Sequence, residues 1–202
     1  MQANSTRESI VSSADDLFYR QGFEQTTFAD IAGAVGISRG NFYYHFKTKD
    51  EILEAVIKRR LANTRNMLEQ WRANSSEPEE RIRSFIRILI GNRGKIMRHG
   101  CPVGTLCAEL AKLEHLQRDA ANEVMTLFRT WLRKQFAAMG HESDADVLAM
   151  HLLARSQGIA LVANAYQDEN FVDVEVGQLL DWLDTCTGVS PRLRAEQSQK
   201  EG

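Results

Sequence analysis

Apolar residues recur every three to four positions along nearly the whole chain, and no stretch alternates apolar and polar residues for long. That period predicts helices throughout, an all-α protein. From about Thr6 to Gln21, the residues Ile10, Val11, Ala14, Leu17 and Phe18 share one face, and Gly22 ends the segment as a left-handed cap glycine does. A short segment over 27–35 turns Phe28, Ile31, Ala32 and Val35 inward and stops at Gly36. Ser38 then caps a third helix carrying Phe42 and Phe46. A fourth begins after Thr48 and runs to Ala73, with Ile52, Leu53, Val56, Ile57, Leu61, Leu68 and Trp71 as its apolar positions. Asn74-Ser75-Ser76-Glu77-Pro78 is the clearest break, and Pro78 suits the first turn of the next helix. Later helices are expected over 78–98, 102–114, 117–139, 144–167 and 173–187, separated at Gly100, at Gly140 with His141, and from Gln167 to Asn170. The total is about nine. The polar tail 190–202 reads as disordered.

Composition narrows the class without naming a chemistry. The 202 residues are 43% hydrophobic and 26% charged, ordinary for a globular protein able to form its own core. A net charge of -2 argues against a non-specific coat on nucleic acid, but not against a local DNA-reading surface. The opening MQANSTRESIV has no signal-like apolar run, and nowhere do some 18 apolar residues follow one another, so no membrane partner is expected. Three cysteines, Cys101, Cys107 and Cys186, lack metal-ligand spacing; a reducing cytoplasmic setting without metal or cofactor is the expectation. No glycine-rich phosphate loop, nucleophile elbow or paired-histidine motif occurs, so no enzyme is expected.

The segment Thr26–Phe46 carries the chemistry. Two short helices joined by a tight glycine turn have the dimensions of a helix-turn-helix, though spacing alone fits any compact three-helix unit equally well. Thr26 or Thr27 can cap the first helix, with Asp30 in its first turn. The second presents Arg39, Gly40, Asn41, Tyr43, Tyr44 and His45, while Phe42 and Phe46 face inward. Arginine pairs with guanine and asparagine with adenine, and Gly40 allows close approach to base edges. Tyr43, His45, Lys47 and Lys49 are placed to meet phosphates beside the groove.

The run TTFADIAGAVGISRGNFYYHFKTKDEIL resembles the DNA-binding domain of the TetR/AcrR family at Thr27, Ile31, Ala32, Gly36, Ser38, Gly40, Tyr43, His45, Phe46, Lys49 and Leu53. Upstream, Ala14, Phe18, Gly22 and Phe23 fit the same pattern. The resemblance implies a three-helix helix-turn-helix domain over 1–48 and a helical ligand-binding and dimerisation domain over 49–189. It further implies a homodimer on double-stranded operator DNA, most members being repressors released by a small-molecule inducer. By position, Thr27, Tyr43, His45 and Lys49 resemble the family's phosphate contacts, while Ser38, Arg39, Asn41 and Tyr44 face bases. The helix from Asp50 to Ala73 joins head to body, so its tilt changes the spacing of two recognition helices, set at about 34–36 Å by one turn of DNA.

In the body, Met67, Trp71, Phe85, Leu89, Leu106, Cys107, Leu110, Phe128 and Trp131 are candidate ligand contacts among a larger apolar set whose ordinary role is core. His151, Arg155 and Tyr166, with Gln157 and Asn164, are polar residues on an otherwise apolar segment, suited equally to a ligand and to a dimer seam or internal hydrogen bonds. Cys101 precedes the proline that starts a helix, where N–H groups favour a thiolate, and is a candidate redox sensor; packing is the plainer role. Val147–Ala163 and the last helix, with Val176, Leu179, Leu180, Trp182 and Leu183, are the candidate dimer surface. An architectural DNA binder without a ligand is the remaining alternative.

Overall fold

A computed structural model describes residues 2–186, with side chains from Ser5 onward. The tail expected at 190–202, and the body domain beyond 186, lie outside the described residues. Among those described there are ten helices and no strand. They are α1 (Gln2–Gln21), α2 (Phe28–Val35), α3 (Arg39–His45), α4 (Lys49–Asn74), α5 (Pro78–Gly91), α6 (Arg93–His99), α7 (Pro102–Lys112), α8 (Arg118–Ala138), α9 (Ala145–Tyr166) and α10 (Glu169–Cys186).

The helix expected over 78–98 is two helices. Asn92 (φ −111°, ψ 7°) ends α5 and opens α6, and both its backbone N–H and its side-chain amide donate to the Ile88 carbonyl at 3.0 Å. The helical bond to Ile88 is thus kept, and the break lies in the non-helical backbone of Asn92 itself, between Gly91 and Gly94 of low helix propensity. The last helix starts at Glu169 rather than 173, because the Asp168 carboxylate accepts the N–H groups of Asn170 (2.9 Å) and Phe171 (3.3 Å).

The chain forms two compact units. The first comprises Met1–Met67 and Cys101–Leu127. Its core holds Ile10, Ala14, Phe18, Phe23, Ile31, Phe42, Phe46, Ile52, Leu53, Val56, Leu110 and Val124, all buried. Arg60 is buried beside it; its Nε donates to Asp15 Oδ1 at 2.7 Å and its Nη1 to the Pro102 carbonyl, tying α1, α4 and the start of α7 together. Among the described residues the second unit comprises Leu68–Gly100 and the chain from Phe128 to Cys186. Here Ile82, Ile86, Leu132, Phe136, Leu152, Val176, Leu179 and Leu183 are buried. Arg83, 5% exposed, pairs with Glu79, Glu80 and Asp184, which fixes α5 against α10. No helix among the described residues is long and apolar enough to cross a membrane.

Candidate nucleic-acid interface

Helix α2 is defined at both ends by side-chain and backbone chemistry. Thr27 (φ −103°, ψ 163°) caps it: its Oγ1 accepts from the Asp30 N–H at 3.2 Å, and Asp30 Oδ2 accepts from the Thr27 N–H at 2.8 Å. This is a reciprocal capping box, satisfying donors that a helix start leaves open. The hydrogen bonds from the Thr27 backbone and hydroxyl hold the Asp30 carboxyl below the ordinary carboxylate value. At the other end Gly36 adopts φ 72°, ψ 33°, and the Ile37 N–H reaches back to the Ala32 carbonyl at 3.1 Å.

Helix α3 starts at Ser38, whose Oγ accepts from the Asn41 N–H at 3.3 Å. Phe42 and Phe46, each 1% exposed, anchor it; burying such a ring contributes about 1.5–3 kcal/mol. Phe28 backs this face, with ring centroids 5.1 Å from Phe42 and 5.5 Å from Tyr43, and Arg7 lies over the Phe46 ring at 4.7 Å. Because the anchors point inward, Arg39, Gly40, Asn41, Tyr43 and Tyr44 all stand exposed, Tyr44 at 74%. His45 is half-buried, its ring edge-on to Tyr44. Thr27, Arg39 and Tyr43 rim a crevice of about 270 Å³ floored by Phe28 and Phe42. The Lys47 ammonium donates to the Tyr43 carbonyl, beside the same face.

Lys49 is placed differently from its neighbours. Its ammonium donates to the carbonyls of Phe23 (3.0 Å) and Glu24 (3.1 Å) and lies 4.4 Å from the Phe23 ring centre. Within the same unit, Glu109 of α7 accepts from the Phe23 and Glu24 N–H groups, each at 2.9 Å. Neither Glu109 nor Phe28 is among the candidate site residues of the sequence. Phe28 was visible as an inward position; Glu109 had no local signal, standing 85 and 86 residues from the groups it binds.

The expected body residues divide between the units. Met67, Leu106, Cys107 and Leu110 belong to the first, where Leu106 and Leu110 are buried. Cys107, with Ile57, Arg60 and Val124, borders a void of about 10 Å³, room for one water at most. Burial pushes the Cys107 thiol up, and its Sγ donates to the Ala121 carbonyl at 3.6 Å. Cys101 caps α7, its Sγ accepting from the Gly104 N–H at 3.4 Å. In the second unit Trp71 and Trp131 rings meet at 5.6 Å and Phe85 and Phe128 at 5.5 Å, with Leu89 buried. Trp71, Phe128 and Trp131 are only half-buried. Arg155 pairs with Glu175 at 2.8 Å, and Asn164 donates to the Met97 carbonyl at 2.7 Å. His151 is exposed against Trp182 at 4.8 Å, Gln157 is half-buried, and Tyr166 is 79% exposed.

A capped two-helix pair that presents Arg, Gly, Asn and Tyr from a rigid apolar base is a helix-turn-helix DNA-binding head. Comparison with known proteins makes the assignment specific. Residues 10–56 match the model for bacterial regulatory proteins of the tetR family, and residues 78–174 match that for the LmrA/YxaF-like transcriptional regulator C-terminal domain. The HTH-type transcriptional regulator TtgR of Pseudomonas putida is 40% identical over 96% of each chain. The HTH-type transcriptional repressor BepR of Brucella suis biovar 1 is 26% identical over 78% of this chain and 79% of its own. A crystal structure of a TetR transcriptional regulator from Legionella pneumophila shares the fold, with a TM-score of 0.78, 24% identity, and coverage of 87% of this chain and 95% of that one. The chain belongs to the TetR family of DNA-binding transcriptional regulators, a family of regulators and not of enzymes.

Proposed function

We propose that the protein is a homodimeric, cytoplasmic repressor that leaves its operator when a small molecule binds its helical body. The observation that carries the operator contact is the exposed face of α3, where Arg39, Asn41 and Tyr44 extend from a helix capped by Ser38. Ser38, Arg39, Asn41 and Tyr44 face bases, Gly40 lets the helix approach them, and Thr27, Tyr43, His45, Lys47 and Lys49 line the phosphate side. The BepR relative bears the name of a repressor, which supports the sign of regulation.

A dimer is supported by α9. Val147, His151, Ala154, Gly158, Leu161 and Ala165 lie at alternating spacings of four and three residues, all on one exposed stripe. Val147 is 70% and Leu161 69% exposed, a mostly apolar line with small residues that let another helix approach closely. Half-buried Trp71, Phe128 and Trp131 support an apolar, aromatic inducer. An inducer works by binding the non-operator state more tightly; about 1.4 kcal/mol of preference gives tenfold weaker operator binding.

Operator selection from random duplexes, followed by fluorescence anisotropy against a library of aromatic compounds, tests the reading. A single enriched motif with two half-sites, released by at least one compound, is expected. Absence of sequence preference would reject specific regulation. A second reading is favoured by the Gly104 N–H bond to Cys101 Sγ: oxidants or electrophiles acting at Cys101 would release DNA. If Cys101→Ser leaves oxidant-induced release unchanged, that reading is wrong.

A further inference from the structure

The turn between α1 and α2 is held from two sides by residues far from it in sequence. Its peptide groups at Phe23 and Glu24 offer two N–H donors and two carbonyls. Glu109 takes both donors, one with each carboxylate oxygen, at 2.9 Å. Lys49, the first residue of α4, takes both carbonyls at 3.0 and 3.1 Å and covers the Phe23 ring. Phe23 itself is 3% exposed, meeting Phe18 at 5.2 Å and the His115 ring edge-on at 5.2 Å. The turn therefore sits between a carboxylate from α7 and an ammonium from α4, with opposite charges matched to opposite backbone dipoles. Bonds of this charge-assisted kind are about twice as strong as neutral ones.

The approach is close. Gly22 adopts φ +92°, and a Cβ there would stand 3.0 Å from Glu109 Oε1, so the glycine serves both the turn and the carboxylate. The loop after α7 continues the hold: Gln117 Nε2 donates to the Asp50 carbonyl at 2.8 Å. His115 Nδ1 accepts the Gln117 N–H at 3.1 Å, which leaves the ring proton on Nε2 facing Asp50 Oδ1 at 3.3 Å. Three residues beyond Glu24, Thr27 begins α2 through the capping box.

We propose that Glu109 is a positioning residue for operator recognition: by fixing the Phe23–Glu24 turn it sets the start of α2, and so the seat of α3, making α7 a direct input to the DNA-binding head. The proposal rests on the operator-binding reading above, and Glu109 itself is not a DNA contact. Lys49 then has its first role inside the protein, bracing the same turn.

Glu109→Gln decides the matter by sign. Removing a negative charge near a polyanion strengthens binding if charge alone acts; loss of the bidentate hold weakens it, with about tenfold higher operator Kd expected. The hold is also read without DNA, as faster hydrogen exchange of the Phe23 and Glu24 amides in the variant, with near-UV circular dichroism reporting an intact core. Should Glu109→Gln fail to fold, Gly22→Ala, which crowds the carboxylate, is read in the same two assays. Amide protection unchanged in a folded variant overturns the proposal, and so does operator affinity that is unchanged or tighter. If the wild type selects no operator, the function reading fails, and the exchange result still judges the hold.

Discussion

Gly36 offers a clean test of how the joint of the helix-turn-helix is held. A Cβ added there would meet nothing within 4 Å, so Gly36→Ala brings no clash with neighbouring atoms. Its whole cost comes from the residue's own backbone at φ 72°, about 1–2 kcal/mol for an L side chain in the left-handed region. Against this, alanine restricts the unfolded chain and returns about 0.4–1 kcal/mol. The net loss is about 0.5–1 kcal/mol, or about 1–4 °C in Tm for a chain of this size. Asparagine tolerates the same conformation, so Gly36→Asn should lose less than Gly36→Ala, while β-branched Gly36→Val should lose more. Thermal and urea unfolding of the three variants, followed by circular dichroism, measures the order. If Gly36→Asn proves as costly as Gly36→Ala, or Gly36→Val no worse, the backbone explanation is wrong and an unrecognised packing contact controls the joint.

Removing Arg83 takes a buried guanidinium away from Asp184 and Glu79 in the second unit, so Arg83→Ala should cost about 3–5 kcal/mol in chemical denaturation, with Asp184→Asn in the same background costing much less than alone. The Asp30 carboxyl has its folded value lowered, so its support of α2 is complete above the unfolded value and disappears as pH falls through the folded one. NMR titration of Asp30 should show this depressed midpoint, and Thr27→Ala should raise it. Lys47→Met should weaken all operators alike and reduce the salt slope by about one, whereas Arg39→Ala should relax preference at one base pair by about 1–3 kcal/mol in competition binding.

Helix content and the exposed face of α3 are legible in the sequence because they depend on local chemistry. Thr27 with Asp30, Gly36, and Ser38 with Asn41 are cap signals within three residues of their partners, and the inward spacing of Phe42 and Phe46 left Arg39, Asn41 and Tyr44 exposed. The division of 78–98 was harder, since Ile88 and Ile96 continue the helical period across a break at the non-helical backbone of Asn92. Least legible was the company α7 keeps. Leu106 and Leu110 look like any apolar stripe, and only three-dimensional pairing shows that they pack with the first unit. Arg155 and Asn164 were ambiguous for the same reason: their partners, Glu175 and the Met97 carbonyl, are 20 and 67 residues away.

The unit that contains the DNA-binding helices is discontinuous along the chain, made of Met1–Met67 and a returning segment, Cys101–Leu127. On the ribosome this has a temporal meaning. When the first 67 residues have emerged, the buried Arg60 still lacks the Pro102 carbonyl, and the Phe23 and Glu24 amides lack Glu109. The head matures only after the second segment is made, some seconds later at about 5–20 residues per second. A nascent or truncated chain that carries all of α2 and α3 is therefore expected to bind operator DNA poorly, and only the longer chain is expected to be competent.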